Sequence, residues 1–183
     1  MKIDFFLNYN FFNPKLGIGY EPNINYKSYF SIAIANREPS RRNYVDAKEG
    51  NLPRPERLTD FELGTTYNKT NFTIGTNLYY MLYKDQLVLT GEINNVGDAI
   101  LTNVENSYRA GIEIIAGYMI NDKLDLNMNA TFSQNKIQDF TEFVDNWDTW
   151  GQDQADLGET DLAFSPNFIF SGILTFKPIK NLS

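Results

Sequence analysis

The side chains that carry out most catalysis and metal binding at neutral pH are missing from this sequence. Its 183 residues include no histidine and no cysteine, which excludes imidazole and thiolate metal ligands, disulfides and the usual nucleophile systems. Carboxylates remain, and the segment 139–161 contains eight Asp and Glu residues but no Lys or Arg. The spacing does not match an EF-hand calcium loop, because its Gly and terminal Glu are out of place. This pattern predicts a solvated acidic loop.

Three groups of residues are candidates for ligand binding. The basic segment 37–58 could attract an anionic chelate, although solvation or contact with lipopolysaccharide phosphates would use the same charges. Two tryptophans of the acidic segment could contact a ligand or pack on each other. Arg109 and Glu113 lie four residues apart, on the same face of a predicted strand. The candidate substrate-binding residues are Arg37, Arg41, Arg42, Trp147, Trp150, Arg109 and Glu113, while Lys48, Arg54 and Arg57 complete the basic segment. No catalytic residue, metal site or cofactor is predicted.

The composition excludes two classes of protein. A net charge of -7 argues against a nucleic-acid binder, which needs a basic face to neutralise phosphates. The mean hydropathy is -0.39 although 15% of the residues are aromatic, and no apolar run reaches the roughly 18 residues of a transmembrane helix.

The N-terminal sequence "MKIDFFLNYNFFNPK" lacks a continuous apolar region and a small-residue cleavage site, so it is not predicted to be a signal peptide.

Apolar and polar residues alternate along most of the chain, and this period of two indicates β-strands. The hairpin 61–88 shows the pattern for longer than a globular strand usually lasts. About seven strands and no internal helix are predicted, at Tyr26–Asn36, Asp60–Tyr67, Phe72–Leu82, Ser107–Tyr118, Lys123–Asn135 and Asn167–Lys177, with one more around Phe12–Glu21. The predicted fold is therefore all-β, an antiparallel up-and-down meander.

The predicted connections alternate between short and long. Short turns are expected at Pro22–Asn23, Asn68–Asn71, Asn121–Asp122 and Pro178–Asn181, where Asn, Asp and Pro favour tight hairpins. Long polar connections are expected at Arg37–Leu58, Lys84–Glu105 and Gln138–Ser165. Soluble sandwiches rarely contain repeated structureless loops of about 20 residues, whereas outer-membrane barrels combine short periplasmic turns with long extracellular loops. Tyr residues near the strand ends, at Tyr67, Tyr80, Tyr108 and Tyr118, match the aromatic girdles of such barrels. A soluble antiparallel domain would also alternate, and remains the other interpretation.

Three segments carry a more specific signal: "NREPSRRNYVDA", "PRPERLTDFELGTTYNKTNFTIGTNLYYMLYKDQLVLTGEINNVG" and "TNVENSYRAGIEI". In this order and spacing the sequence resembles the β-barrel part of TonB-dependent outer-membrane receptors of Gram-negative bacteria, from about Asn13 to the end. The resemblance implies that residues 1–183 are an internal part of a larger transmembrane β-barrel, with the plug domain and the C-terminal strands absent. It further implies that the turn Asn68–Asn71 is periplasmic, that Phe61, Leu63, Phe72, Ile74 and Leu78 face lipid, and that Glu62, Thr73 and Asn77 line the lumen.

The function implied by the resemblance is active transport across the outer membrane. The ligand would be a large scarce solute, such as an iron–siderophore chelate or the vitamin cobalamin, and import would be energised through TonB. The implied partners are outer-membrane lipid, lipopolysaccharide, the receptor's own plug domain and TonB, with no nucleic acid. Two alternatives remain open: a small β-barrel binding module without TonB coupling, and an all-β carbohydrate-active enzyme that uses the carboxylates of segment 139–161. Under the leading prediction, the protein is not an enzyme.

Overall fold

The described residues form eight antiparallel strands and one short helix. The structure is a computed structural model, and it describes residues 7–47, 50–94 and 96–178. The strands are β1 Lys15–Asn23, β2 Tyr26–Arg37, β3 Glu56–Lys69, β4 Phe72–Ile93, β5 Ala99–Asn121, β6 Leu124–Asn146, β7 Gly151–Asp161 and β8 Phe168–Phe176, and the helix is α1 Arg41–Val45. No helix among the described residues is long and apolar enough to cross a membrane.

The strands form one sheet in the order β1 to β7, each strand paired with the next along the chain. β8 is the exception, because it pairs with the first half of β6 while β7 pairs with the second half. Cross-strand partners follow one register across the sheet, as in the row that joins Phe30, Leu63, Leu78, Ile112, Phe132 and Phe168. The predicted antiparallel meander is confirmed, with eight strands rather than about seven.

Two of the three predicted long connections are largely strands. β4 continues to Ile93 and β5 begins at Ala99, so the predicted connection Lys84–Glu105 is a hairpin. Likewise β6 continues to Asn146 and β7 covers Gly151–Asp161, within the predicted connection Gln138–Ser165. The prediction was wrong here because strand pairing is made by backbone groups, and neither hairpin shows a clean alternation of side chains. β7 is polar on both faces, whereas Leu87, Val88 and Leu89 of β4 are consecutive apolar residues.

The connection between β2 and β3 remains a long loop, and it contains the helix that the sequence prediction had excluded. Helix α1 begins after Ser40, whose side chain accepts a hydrogen bond from the Asn43 backbone amide, while the Asn43 side-chain oxygen accepts one from the Ser40 backbone amide at 2.8 Å. This capping box satisfies amides that would otherwise be unpaired at a helix start. A five-residue helix is too short to show an apolar periodicity, so its sequence offered only the cap.

The turns agree with the predictions to within about two residues. They lie at positions 24–25, 70–71 and 122–123, and the predicted turn Pro178–Asn181 falls almost wholly outside the described residues. The first strand is predicted at Phe12–Glu21 and is found at Lys15–Asn23.

The buried core lies at one end of the sheet, away from these turns. Val88, Val104, Ile137 and Leu162 pack together there, with Phe140 against them. We call this end, built from the tips of β4 and β5 and from the β6–β7 hairpin, the extension. The part of the sheet between the extension and the turns has most of its large apolar side chains exposed on one face.

Candidate functional site

One face of the sheet is apolar across seven of its strands. The register places apolar side chains of every strand except β7 on this face. Most of these side chains are strongly exposed, as Leu63 (50%) and Phe170 (58%) illustrate. We call it the apolar face; its central residues are Ile18, Phe30, Ile32, Phe61, Leu63, Ile74, Leu78, Ile112, Ile114, Met128, Ala130, Phe132, Phe168, Phe170 and Leu174. An exposed apolar surface of this extent marks a site of contact with another apolar phase or protein.

Aromatic side chains bound the apolar face at both ends. Tyr67 and Tyr118 lie near the turns, and Tyr80 and Tyr108 lie near the extension with their ring centroids 6.1 Å apart. Along β4 the face extends from Phe72 to Leu82, about 34 Å of strand at about 3.4 Å per residue. At the tilt of about 40° usual for barrel strands its height is about 26 Å, close to the roughly 25 Å apolar band of outer-membrane barrels.

The opposite face is mostly polar, although Ile115, Ile169 and Ile173 are exposed on it, and it holds Arg109 and Glu113 as predicted. Arg109 lies opposite Met81 and Asn135, while Glu113 lies opposite Asn77 and Thr131. The Arg109 guanidinium carbon is 5.8 Å from the centroid of the Tyr83 ring, and its Nε is buried without a hydrogen-bond partner among the described residues. The structure does not join Arg109 and Glu113 in an ion pair within the described part of the chain.

Two tyrosines of the polar face lie flat over glycines of the neighbouring strand. Tyr29 covers Gly64, where an added Cβ would stand 2.1 Å from the ring, and the Tyr29 hydroxyl donates to Asn77 Oδ1 at 3.1 Å. Tyr79 covers Gly111 in the same way, with its hydroxyl 2.5 Å from such a Cβ. Glycine allows this close approach, so each tyrosine ring lies against the backbone of the neighbouring strand. Sequence analysis missed these pairs, because only the cross-strand register brings each Tyr to its Gly.

The arginines of the basic segment are mostly engaged in ion pairs. Arg37 lies 2.7 Å from Glu56, whose carboxylate also accepts a hydrogen bond from the Leu87 amide at 2.7 Å. Arg42 contacts Asp46 at 3.1 Å and Asp98 at 3.8 Å. Arg41 is exposed and makes no ion pair with a described residue, and Lys48 lies outside the described residues. These pairs attach the loop to the β4–β5 hairpin instead of leaving six free cations for a ligand.

Helix α1 also packs against the start of the described chain. The Tyr44 hydroxyl is hydrogen-bonded to the Tyr9 hydroxyl. Burial, together with this hydrogen bond, raises the pKa of Tyr44 above the usual range of a phenol. Tyr44 is therefore neutral at physiological pH, and this contact does not add to the charge of the loop.

Asn103 of β5 is the main polar anchor of the loop between β2 and β3. Its side chain accepts from the Arg54 amide at 2.7 Å and donates to the carbonyl oxygens of Arg54 at 3.0 Å and Asp85 at 2.6 Å. The Arg54 guanidinium contacts the Asp85 carboxylate at 2.6 Å beside it. One amide side chain thus joins the loop to β4 and β5.

Replacing Asn103 by Ala is expected to detach this loop while leaving the rest of the sheet in place. Three hydrogen bonds are lost, at about 1 kcal/mol each, so local opening becomes easier by about 3 kcal/mol. Limited trypsin digestion should then cleave faster after Arg41 and Arg42 of the loop, while the Arg54–Pro55 bond resists trypsin in every variant. The matched control is Asn106→Ala, because the Asn106 side chain makes no hydrogen bond to a described residue; equal cleavage of the two variants would contradict the anchor role.

The tip of the β6–β7 hairpin presents both tryptophans. Trp147 and Trp150 are 73% and 86% exposed, and their rings meet edge to face with centroids 6.3 Å apart. Carboxylates of the hairpin are bound across the ribbon, as in the contacts Asn146–Asp153 and Thr141–Asp156, both at 2.8 Å. Within residues 7–47, 50–94 and 96–178, no three acidic residues are arranged to hold a metal ion.

The sequence of the sheet and of its loops matches a known family over nearly its whole length. The family model described as TonB dependent receptor-like, beta-barrel matches residues 2–181. The chain belongs to this family. The resemblance noted from the three sequence segments is thereby confirmed, and the two-faced sheet is part of a TonB-dependent receptor-like barrel. The sequence matches no curated protein.

Solved structures share this fold. The siderophore receptor PiuA from Acinetobacter baumannii superposes with a TM-score of 0.64 at 16% identity, covering 90% of this chain and 24% of its own. The ferric-catecholate import receptor Fiu from K12 E. coli gives 0.62 at 16% identity, with 90% and 22% covered. The FrpB iron transporter from Neisseria meningitidis gives 0.55 at 20% identity, with 70% and 20% covered. The TonB-dependent receptor-like chain therefore spans about a fifth to a quarter of the length of these proteins.

Proposed function

We propose that this chain is part of the wall of a Gram-negative outer-membrane receptor that imports a large, scarce solute with energy delivered through TonB. The observation that carries the proposal is the two-faced sheet: an exposed apolar face about 26 Å high, bounded by Tyr at both ends, opposite a polar face with Arg109 and Glu113. Lipid contact on the apolar face and a polar lumen behind the opposite face account for both faces together. Family membership supports the same conclusion.

In this proposal residues 1–183 are a partial barrel, with further strands and a plug domain contributed by the whole receptor. The turns at positions 24–25, 70–71 and 122–123 are periplasmic, and the extension is extracellular. The outer edges of β1 and β8 pair with further strands of the receptor, because a sheet with open edges cannot remain in lipid.

The solute is proposed to be an iron–siderophore chelate, with cobalamin as the competing outcome of the test. The names of the siderophore receptor PiuA and the ferric-catecholate receptor Fiu support this class. Arg41, which is exposed and makes no ion pair with a described residue, supplies a positive charge for an anionic chelate, while Arg37 and Arg42 hold the loop. Trp147 and Trp150 contact the chelate at the hairpin tip, and Arg109 and Glu113 contact the plug first and guide solute second.

The test is growth of a bacterium that lacks its own receptors and expresses the full-length receptor containing this chain. Growth is measured under iron limitation on a panel of siderophores and, in parallel, under cobalamin limitation. Only one class of solute should restore growth. Growth should disappear when TonB is deleted. A receptor that reaches the outer membrane but supports no growth on any panel member would contradict the proposed import function.

The tryptophan pair gives a residue-level prediction. Aromatic anchors commonly contribute about 2 kcal/mol or more to binding, equivalent to about thirtyfold in affinity. Trp147→Ala/Trp150→Ala should therefore weaken binding of the growth-supporting chelate by at least that factor, measured by equilibrium binding to the purified receptor. Phe164→Ala is the matched control, because Phe164 is a 94% exposed aromatic residue outside the tip; an equal loss in the control would remove the tip from the binding site.

A further inference from the structure

A row of polar and cationic side chains crosses the apolar face where it meets the extension. The register places Arg57 opposite Lys84, Lys84 opposite Asn106, and Asn106 opposite Gln138. All four side chains are exposed. They line a groove of about 370 Å³, whose floor on the side of the turns is formed by Leu82 and the girdle residues Tyr80 and Tyr108. The groove is thus cationic at its top and apolar at its base.

The two cations of this groove are unusual in their surroundings. Like charges directly opposite each other on adjacent strands destabilise a sheet, yet Arg57 and Lys84 are direct partners. Neither forms an ion pair with a residue that the structure describes, and their same-face neighbours Asn36, Thr59 and Leu82 are uncharged. Several other cations of this acidic chain have acidic partners, namely Arg37, Arg42, Arg54, Lys136 and Lys177.

An anion between Arg57 and Lys84 removes their repulsion. Guanidinium and ammonium groups together suit a phosphate group, the first by paired hydrogen bonds and the second as a point charge. Asn106 and Gln138 continue the row with amide donors for further phosphate or hydroxyl oxygens. The groove continues without a rim onto the exposed apolar face, where Leu78 is 47% exposed. Its shape therefore suits a ligand with an anionic head and an apolar tail.

We propose that this groove binds the phosphorylated headgroup of an outer-leaflet lipid, with its acyl chains along Leu82, Tyr80 and Leu78. The assignment rests on the proposed function for the membrane orientation, which places this row at the outer membrane–water boundary. A lipid is favoured over a soluble anion because half of the groove is apolar and faces sideways into the proposed bilayer. The bound phosphate adds a specific contact to the general lipid contact of the wall.

The experiment is native mass spectrometry of the full-length receptor in detergent, titrated with diphosphorylated lipid A, with its dephosphorylated form, or with inorganic phosphate. The wild type should retain lipid A and should bind the dephosphorylated lipid and inorganic phosphate far more weakly. Because each cation near anionic lipid contributes a factor of about five, Arg57→Gln/Lys84→Gln should weaken lipid A binding about thirtyfold. The single variant Lys84→Gln should account for about fivefold.

Lys69→Gln is the matched control, because Lys69 is an exposed lysine of the same hairpin at its opposite end. It should retain lipid A like the wild type. Equal retention by Lys84→Gln and Lys69→Gln, or inorganic phosphate binding as tight as lipid A, would overturn the proposal. The assay needs no transport, so a wild type that binds lipid A but supports no growth would contradict the import function alone.

Discussion

Arginine in place of Ala130 is expected to destabilise the barrel in the membrane. Ala130 lies on the apolar face opposite Ile114 and Phe170, near the middle of the apolar height. An Arg on the lipid face near the midplane costs about 2–4 kcal/mol. Folding of the receptor into phospholipid vesicles, followed by titration with urea, should show this loss in the free energy of unfolding.

Thr131→Arg is the matched control for this prediction. Thr131 is the next residue on the same strand, but it lies on the polar face opposite Glu113, where a new cation gains a carboxylate neighbour. Its unfolding free energy should stay within about 0.5 kcal/mol of the wild type, as is usual for tolerated surface substitutions. If Ala130→Arg and Thr131→Arg behave alike, the apolar face does not contact lipid, and the alternative of a water-soluble binding module becomes the better one.

The second large effect is expected at Gly91, where the tip of β4 meets the β6–β7 hairpin. Gly91 has a φ of +85°, and a Cβ there would lie 2.3 Å from the carbonyl oxygen of Phe143. The Gly91 carbonyl also accepts a hydrogen bond from Gln152 Nε2 at 2.9 Å. Gly91→Ala adds about 1–2 kcal/mol of backbone strain and about 1–3 kcal/mol of overlap. The extension should therefore open, with faster hydrogen exchange at the tips of β4 and β6.

Gly97→Ala separates these two contributions. Gly97 has a φ of +87°, but nothing lies within 4 Å of the position of an added Cβ. This variant should lose only the roughly 1–2 kcal/mol of stability that corresponds to backbone strain. If exchange in the extension rises equally in Gly91→Ala and Gly97→Ala, the close contact with Phe143 does not hold the hairpins together.

The hairpin 61–88 shows what the sequence can predict. Its apolar set, including Phe61, Leu63 and Leu78, does share one face, while Glu62 and Asn77 share the other. This succeeded because a period of two fixes the face of every residue once one face is apolar. The family was predicted from the order and spacing of three sequence segments, and the family match confirms it.

The extension and the contacts of the candidate site could not be predicted in the same way. β7 is polar on both faces, so its pairing with β6 has no hydrophobic signal. The engagement of Arg37 by Glu56 and the cover of Gly64 by Tyr29 depend on the register between strands. From residue types alone, six cations of the loop were predicted to be available for a ligand. In the structure, several of them form ion pairs with carboxylates of the protein itself.

The position of the buried core has a consequence for how this protein can change over generations. Val88, Val104, Ile137 and Leu162 stabilise the extension from within, while the rest of the sheet depends on its backbone pairing and, in the proposed receptor, on lipid. Substitutions in regions with separate sources of stability tend to add independently. In the proposed receptor, the exposed hairpin tip with Trp147 and Trp150 can therefore change its solute specificity over generations without weakening the wall.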